Sequence, residues 1–418
     1  MQVSHMADQL IGSEIIKLAG EINQKIKAGA KIYNFTIGDF DPKVFPIPSE
    51  LNTAIQQAYS AGHTNYPAAN GVTELRESVR DFMHTYGGLD YAADDYLIAG
   101  GARPLIYAIY QTLLDPGDKV VYAVPSWNNN HYCHLSRAQG IELQVGPAEN
   151  FMPSAAQIAP YIQEATLVAV CSPLNPTGTV FGAAELGEIC DLILAENKRR
   201  GPDHKPVYLM YDQIYWMLTF GGTQHFDPVS LRPEMRAYTI FVDGLSKAFA
   251  ATGVRVGWTF GPRPIIDKMK AILGHVGAWA PKAEQVAVAQ YLRDGAAVDR
   301  FLSSFKSEVH NRLDGFYQGF MRLKAAGHPV DCIAPQAAIY LTIQLHLIGK
   351  TTSAGKQLHS TRDITAFVLE AAGLAVVPFY AFGASESSTW YRLSVGTCKA
   401  EEVQLALASL EKALNSLK

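Results

Sequence analysis

The chain has 418 residues, 48% hydrophobic and 18% charged, with 35 Lys and Arg against 39 Asp and Glu and a formal charge of -4. This is the composition of a globular enzyme long enough for two packed domains. It excludes a protein built around polyanions or a basic nucleic-acid patch, and no apolar run is long enough to cross a bilayer.

The N-terminal "MQVSHMADQL" has no apolar signal core, so no export is expected. Its "SHM" at 4 to 6 reads equally as native sequence or as a cloning remnant ahead of a native start at Met6. From about residue 50 to 300, helical patterns such as "TELRESVRDFMHTY" and "AAELGEICDLILAENKRR" alternate with short apolar runs. The runs are "YLIAG", "KVVYAVP", "IELQV", "TLVAVCSP", "VYLMYD", "TIFVDG" and "VGWTFG". Apolar strands separated by helices predict an α/β domain: a mostly parallel seven-stranded sheet with helices on both faces. The short link from "VDG" to "VGWTFG" predicts that this last pair is antiparallel. After about 300 come a long helix ("VDRFLSSFKSEVHNRLDGFYQGFMRLKAAG"), strands such as "AIYLTIQL" and "WYRLSVG", and a closing helix from Ala400. A large domain over 50–300 is therefore expected, with a smaller α+β domain made of 1–49 and 301–418. The stretch 348–363, "IGKTTSAGKQLHSTRD", reads as a mobile polar loop. There is no internal repeat. Five scattered cysteines, an odd number, point to reduced thiols in a cytoplasmic protein.

Ligands of open parallel sheets sit beyond the carboxyl ends of the strands. Five consecutive strand ends here deliver special residues: Gly101-Ala102-Arg103, Ser126-Trp127-Asn128, Asn175-Pro176-Thr177-Gly178, Asp212 with Tyr215, and Ser246-Lys247. Gly101 to Arg103 runs into a helix whose free N–H groups and dipole suit a phosphate, although Gly-Gly before a helix is also an ordinary tight turn. Arg255 adds a charge for the same phosphate, or forms a surface ion pair. Asp212 closes an apolar strand, as an anion opposite a protonated ring nitrogen or as a helix N-cap. Trp127 offers a face for a stacked ring, or packs in a core. Asn175 and Tyr215 suit a ring hydroxyl, although the run from Asn175 to Gly178 is also a good turn. Lys247 lies between small residues, where desolvation and nearby positive charge would pull its pKa below about 10.4 and let it form an imine. Taken together, these parts describe one ligand, pyridoxal 5'-phosphate.

With these residues assembled, the sequence resembles the class I/II aminotransferases of the aspartate aminotransferase superfamily, the fold type I pyridoxal-phosphate enzymes. "GLSKAFAATGVRVG" fits the family's lysine site, and further landmarks run from "FTIGDFDP" to "WYRLSVG". The resemblance implies that Lys247 forms the imine and then moves the proton of the 1,3-shift. It implies that Asp212 keeps the ring nitrogen protonated, Tyr215 and Asn175 bond the ring oxygen, and Trp127 stacks. Gly101, Ala102, Ser246 and Arg255 would hold the phosphate, with Arg103 beside them. Arg392 in "YRLSVG" would bind the substrate α-carboxylate under the loop of Gly38. Tyr66 in "TNYPAANG" would reach the neighbouring active site of a homodimer. Amino acid and 2-oxo acid substrates follow, in a ping-pong cycle of amino acid metabolism or biosynthesis.

Three positions depart from the family pattern. Gly244 stands where a serine is common, which would cost one phosphate hydroxyl. "VPFYAFG" replaces a glycine-containing run, so Phe379 and Tyr380 are expected to reshape the substrate pocket. Arg103 stands where some aspartate aminotransferases have a distal-carboxylate lysine, so it either reads dicarboxylic substrates or only supports the phosphate turn. "HYCH" brings His131, Cys133 and His134 together, but without a second ligand pair no metal is expected. Two other functions share the fold: a β-elimination lyase and a non-catalytic effector sensor. The absence of a DNA-binding module ahead of residue 50 and the presence of the expected catalytic residues weigh against the sensor.

Overall fold

The structure is a computed structural model that describes residues 3–10, 12 and 14–418. A short strand β1 (Tyr33–Asn34) lies near the start of the chain. The strands of the main sheet are β2 (Tyr96–Ala99), β3 (Lys119–Val124), β4 (Gln139–Gln144), β5 (Ala165–Cys171), β6 (Tyr208–Asp212), β7 (Thr239–Gly244) and β8 (Gly257–Phe260). Their spatial order is β2-β8-β7-β6-β5-β3-β4. All neighbours run parallel except β8, which is antiparallel to both β2 and β7. All seven apolar runs are strands of this sheet, and the expected antiparallel pair is present.

The runs are continuously apolar because both faces of the sheet are covered. Alternate side chains serve different layers, as the period of two requires. Leu97, Val120, Leu167 and Met210 pack with the helices Ala102–Leu113 and Arg263–Val276. Ile98, Val121, Val168 and Leu209 pack with Thr73–Gly87, Ala183–Arg200 and Lys282–Leu292. Each fully buried Leu, Ile or Val in these layers contributes about 1.5–3 kcal/mol.

A second core gathers the remainder. The strands β9 (Val330–Cys332), β10 (Tyr340–Leu345), β11 (Leu374–Ala375), β12 (Val377–Pro378) and β13 (Trp390–Ser394) follow the helix Gly295–Ala325. β12, β13, β10 and β9 make a four-stranded antiparallel sheet, and β11 pairs in parallel with β1. Phe35, Phe40 and Phe45 from the beginning of the chain enter this core with Phe316, Leu341 and Leu393. The polar stretch 348–363 is irregular as far as Ser360 and carries one isolated bridge. Thr351 bridges to Gln357, and its backbone exchanges hydrogen bonds with Lys418 at 3.1 and 2.9 Å. Among the described residues, no helix is long and apolar enough to cross a membrane.

Candidate active site

The parallel register aligns the carboxyl ends of β5, β6 and β7: Cys171 pairs with Asp212 and Asp212 with Val242. A cavity of about 560 Å³ opens at this edge, within the usual range for small-molecule sites. Ala102, Arg103, Trp127, Asn175, Asp212, Tyr215, Ser246, Lys247, Arg255, Arg392 and Gly38 all line it. Of the residues expected at the site, Gly101 shapes the wall from behind and Tyr66 lies elsewhere.

Lys247 rides on a one-turn helix, Leu245–Ala248, directly after β7. Its Nζ donates to the Gly38 carbonyl at 2.8 Å. Burial pulls its pKa down to about 8, reinforced by the charges of Arg392, Arg103 and Arg255 and opposed by Asp39. Asp212 accepts the Ile214 N–H at 3.0 Å. It caps a turn rather than a helix. Burial pushes its carboxyl up to about 6, against the Ile214 bond and the Lys247 charge. A carboxylate so enclosed needs a cationic partner, and a protonated ring nitrogen supplies one.

The phosphate end is built by close backbone approach. Gly101 has φ +95 and caps the helix Ala102–Leu113 without any side-chain bond, leaving the first N–H groups free. A Cβ on Gly101 would sit 2.3 Å from Arg255 Nη2, and one on Gly257 would sit 2.6 Å from the Gly101 carbonyl carbon. Arg255 itself holds φ +59 and donates to the Thr252 and Gly100 carbonyls, each at 2.8 Å. It makes no ion pair among the described residues; its guanidinium is fastened across the helix N-terminus. The cradle of free N–H groups, Ser246 and Arg255, with the enclosed Asp212 at the other end, fits pyridoxal phosphate. Gly244 is a glycine for lack of space: a Cβ there would lie 2.9 Å from the Gly257 Cα.

Arg392, only 2% exposed, donates to Asn175 Oδ1 at 3.0 Å and to the Thr36 carbonyl at 2.6 Å. Its guanidinium lies between the Tyr340 ring at 4.6 Å and the Phe382 ring at 4.9 Å, and its Nε has no partner among the described residues. A Cβ on Gly38 would stand 2.8 Å from the Tyr340 hydroxyl and 3.4 Å from Arg392 Nη1. A side chain at Gly38 would therefore press on Tyr340 and on the Arg392 guanidinium. Arg103 places its guanidinium 5.3 Å from the Trp127 ring and makes no ion pair with the described residues.

The expected role of Phe379 and Tyr380 is overturned. Phe379 is fully buried, edge-on to Phe151 at 5.3 Å. Tyr380 faces a different cavity and stacks with Arg362 at 4.7 Å. The turn Phe379–Phe382 directs its last ring, not its first two, toward Arg392. Sequence reading missed Tyr340 and Phe382; neither carries a local signal, because each meets Arg392 only through the sheet and this turn. Tyr66 is 81% exposed and touches Trp279 edge-on at 5.3 Å. His134 of "HYCH" meets the Met6 carbonyl at 2.7 Å, and Cys133 is buried.

The family model for class I and II aminotransferases matches residues 30–410. The aspartate aminotransferase of Rhizobium meliloti strain 1021 is 28% identical over 392 residues, covering 93% of this chain and 90% of that protein. The aspartate aminotransferase of Geobacillus stearothermophilus is 28% identical over 401 residues, covering 95% of each. The crystal structure of the aspartate aminotransferase from Rhizobium meliloti superposes with a TM-score of 0.89 at 27% identity, covering 100% of both chains.

Proposed function

The chain belongs to the class I and II aminotransferases, and from that premise we propose that it acts on dicarboxylic amino acids of the aspartate and glutamate type. It is a pyridoxal-phosphate-dependent aminotransferase that moves an amino group from an amino acid to a 2-oxo acid. The relatives named above are aminotransferases, and no finding supports the β-elimination alternative. When bound, pyridoxal phosphate supplies the carbonyl that takes up the amino group and the electron sink that makes the α-hydrogen acidic.

In this reading the tasks are divided among these residues. Arg255, Ser246 and the N–H groups after Gly101 hold the phosphate. Asp212 keeps a proton on the ring nitrogen. Trp127 covers the ring, and Tyr215 and Asn175 direct hydrogen bonds to its oxygen. Lys247 anchors the cofactor and, once released, carries a proton at the α-carbon on Nζ, for which an amine with its pKa near 8 is well matched. Arg392 grips the α-carboxylate beside Gly38. Residues 1–49 and 301–418 form the smaller domain, whose packing on 50–300 shuts water out. The site is shared in a homodimer, which the exposure of Tyr66 away from its own cavity supports. Free cysteines support a cytoplasmic location.

The observation that carries the substrate class is Arg103: a third guanidinium in the cavity beside Arg255 and Arg392, resting on Trp127 with no carboxylate partner among the described residues. Losing a hydrogen bond to a charged group costs about 1.5–3 kcal/mol. Arg103→Leu should therefore lower kcat/KM for aspartate and glutamate by about 10- to 100-fold, while leaving alanine turnover and cofactor affinity nearly unchanged. Equal losses for alanine and aspartate would assign Arg103 to the phosphate turn instead.

A further inference from the structure

Tyr340 begins β10 and is 2% exposed, yet it lines the active-site cavity. Its hydroxyl lies 2.6 Å from that of Tyr215, 125 residues away in the chain. The register explains how it arrives there. Thr342 pairs with Arg392 across the sheet, so Tyr340, two residues earlier, shares the face from which the Arg392 side chain projects. One ring thus supports the guanidinium at 4.6 Å while its hydroxyl reaches Tyr215.

The direction of that hydrogen bond follows from counting protons. Each phenol has one proton to donate. If Tyr215 gives its proton to the ring oxygen of the cofactor, only Tyr340 can donate across the 2.6 Å contact. Chained hydrogen bonds polarise one another, so a phenol that accepts one bond is a better donor of the next. The charged groups facing the pair are Arg392, Lys247 at 5.6 Å from the Tyr215 ring, and Asp39, with the Cys171 thiol beside them. Burial raises both phenols above their ordinary pKa, so both keep their protons at neutral pH.

We propose that Tyr340 is a positioning residue: it donates to Tyr215 and thereby fixes and strengthens the hydrogen bond from Tyr215 to the ring oxygen of bound pyridoxal phosphate. This rests on the reading that Tyr215 contacts that oxygen, and it brings the four-stranded sheet into control of the cofactor's electronics. A donor at the ring oxygen stabilises negative charge there, so weakening the donor raises the proton affinity of the oxygen and of the imine nitrogen beside it.

The test is a pH titration of the visible absorption of the cofactor-loaded protein, with no amino acid present. Tyr215→Phe should move the midpoint upward. Tyr340→Phe keeps the ring under Arg392 and should move it in the same direction by less, about threefold in proton affinity or roughly half a pH unit. The double variant should match Tyr215→Phe alone, because Tyr340 acts only through Tyr215. Tyr340→3-fluorotyrosine, a stronger donor of nearly the same shape, should move the midpoint downward, a change that loss of packing would not produce. It also serves if Tyr340→Phe does not fold. An unmoved midpoint in both Tyr340 variants, while Tyr215→Phe shifts it, overturns the relay and leaves the role of Tyr215 intact. Additive shifts in the double variant overturn it as well. If Tyr215→Phe itself moves nothing, the reading of Tyr215 fails and takes the proposal with it.

Discussion

At pH 7 an ordinary lysine with a pKa near 10.4 is neutral in roughly one molecule in 2,500. Lys247, drawn down to about 8 by burial and three arginines, is neutral in roughly one in ten. The sign sets a pH dependence. Covalent capture of pyridoxal phosphate by the cofactor-free protein should speed up as pH rises, and then level off above about 8. A rate still climbing tenfold per unit at pH 9.5 would show an unperturbed amine. Because the folded-state pKa lies below the unfolded one, the buried amine weakens the fold below pH 8, and that penalty fades as pH rises toward 10. Arg103 answers to charge rather than to pH, so its effect belongs in a substrate comparison.

Among the elements, the turn between β2 and its helix is tightly specified. Gly101→Ala faces two obstacles: φ +95, and a Cβ 2.3 Å from Arg255 Nη2. Such strain costs about 1–3 kcal/mol. The variant should melt at a lower temperature and bind pyridoxal phosphate at least about tenfold more weakly, measured by absorbance titration of the cofactor-free protein. Gly101→Ala with unchanged cofactor affinity would remove Arg255 from the phosphate cradle. The elements were largely legible in the sequence, because a sheet buried on both faces writes its strands as unbroken apolar runs, and the five strand ends carry their special residues within a few positions. What escaped depends on pairing between distant segments. Phe379 looked close to Arg392 because it is close in sequence. β12 pairs with β13, however, and the following turn sends Phe379 into the core and Phe382 back to the guanidinium. Tyr340 was invisible for the same reason, since nothing in "QAAIYL" announces a partner at position 215.

For the whole molecule, sharing of the site between two chains can be tested by mixing. Lys247→Ala and Tyr66→Ala proteins should each be impaired, the first abolished and the second weakened in cofactor binding. Refolded together, they should form hybrid dimers in which one site has both residues, recovering up to about a quarter of wild-type activity per chain for a statistical mixture. Without recovery, Tyr66 serves only its own chain.

The bond from Arg392 to the Thr36 carbonyl joins residues 356 positions apart, and this has a consequence for synthesis on the ribosome. On the proposed roles, the groups that a chain offers to its own cofactor lie between Gly101 and Arg255, whereas the proposed carboxylate fork waits for Arg392, about 140 residues later. At ordinary elongation rates that interval is roughly 7 to 30 seconds. On those roles, a nascent chain has thus made its proposed cofactor-holding residues well before the arginine proposed to recognise an amino acid. Chains that terminate in that window contain Lys247 and the residues proposed for the phosphate but lack Arg392.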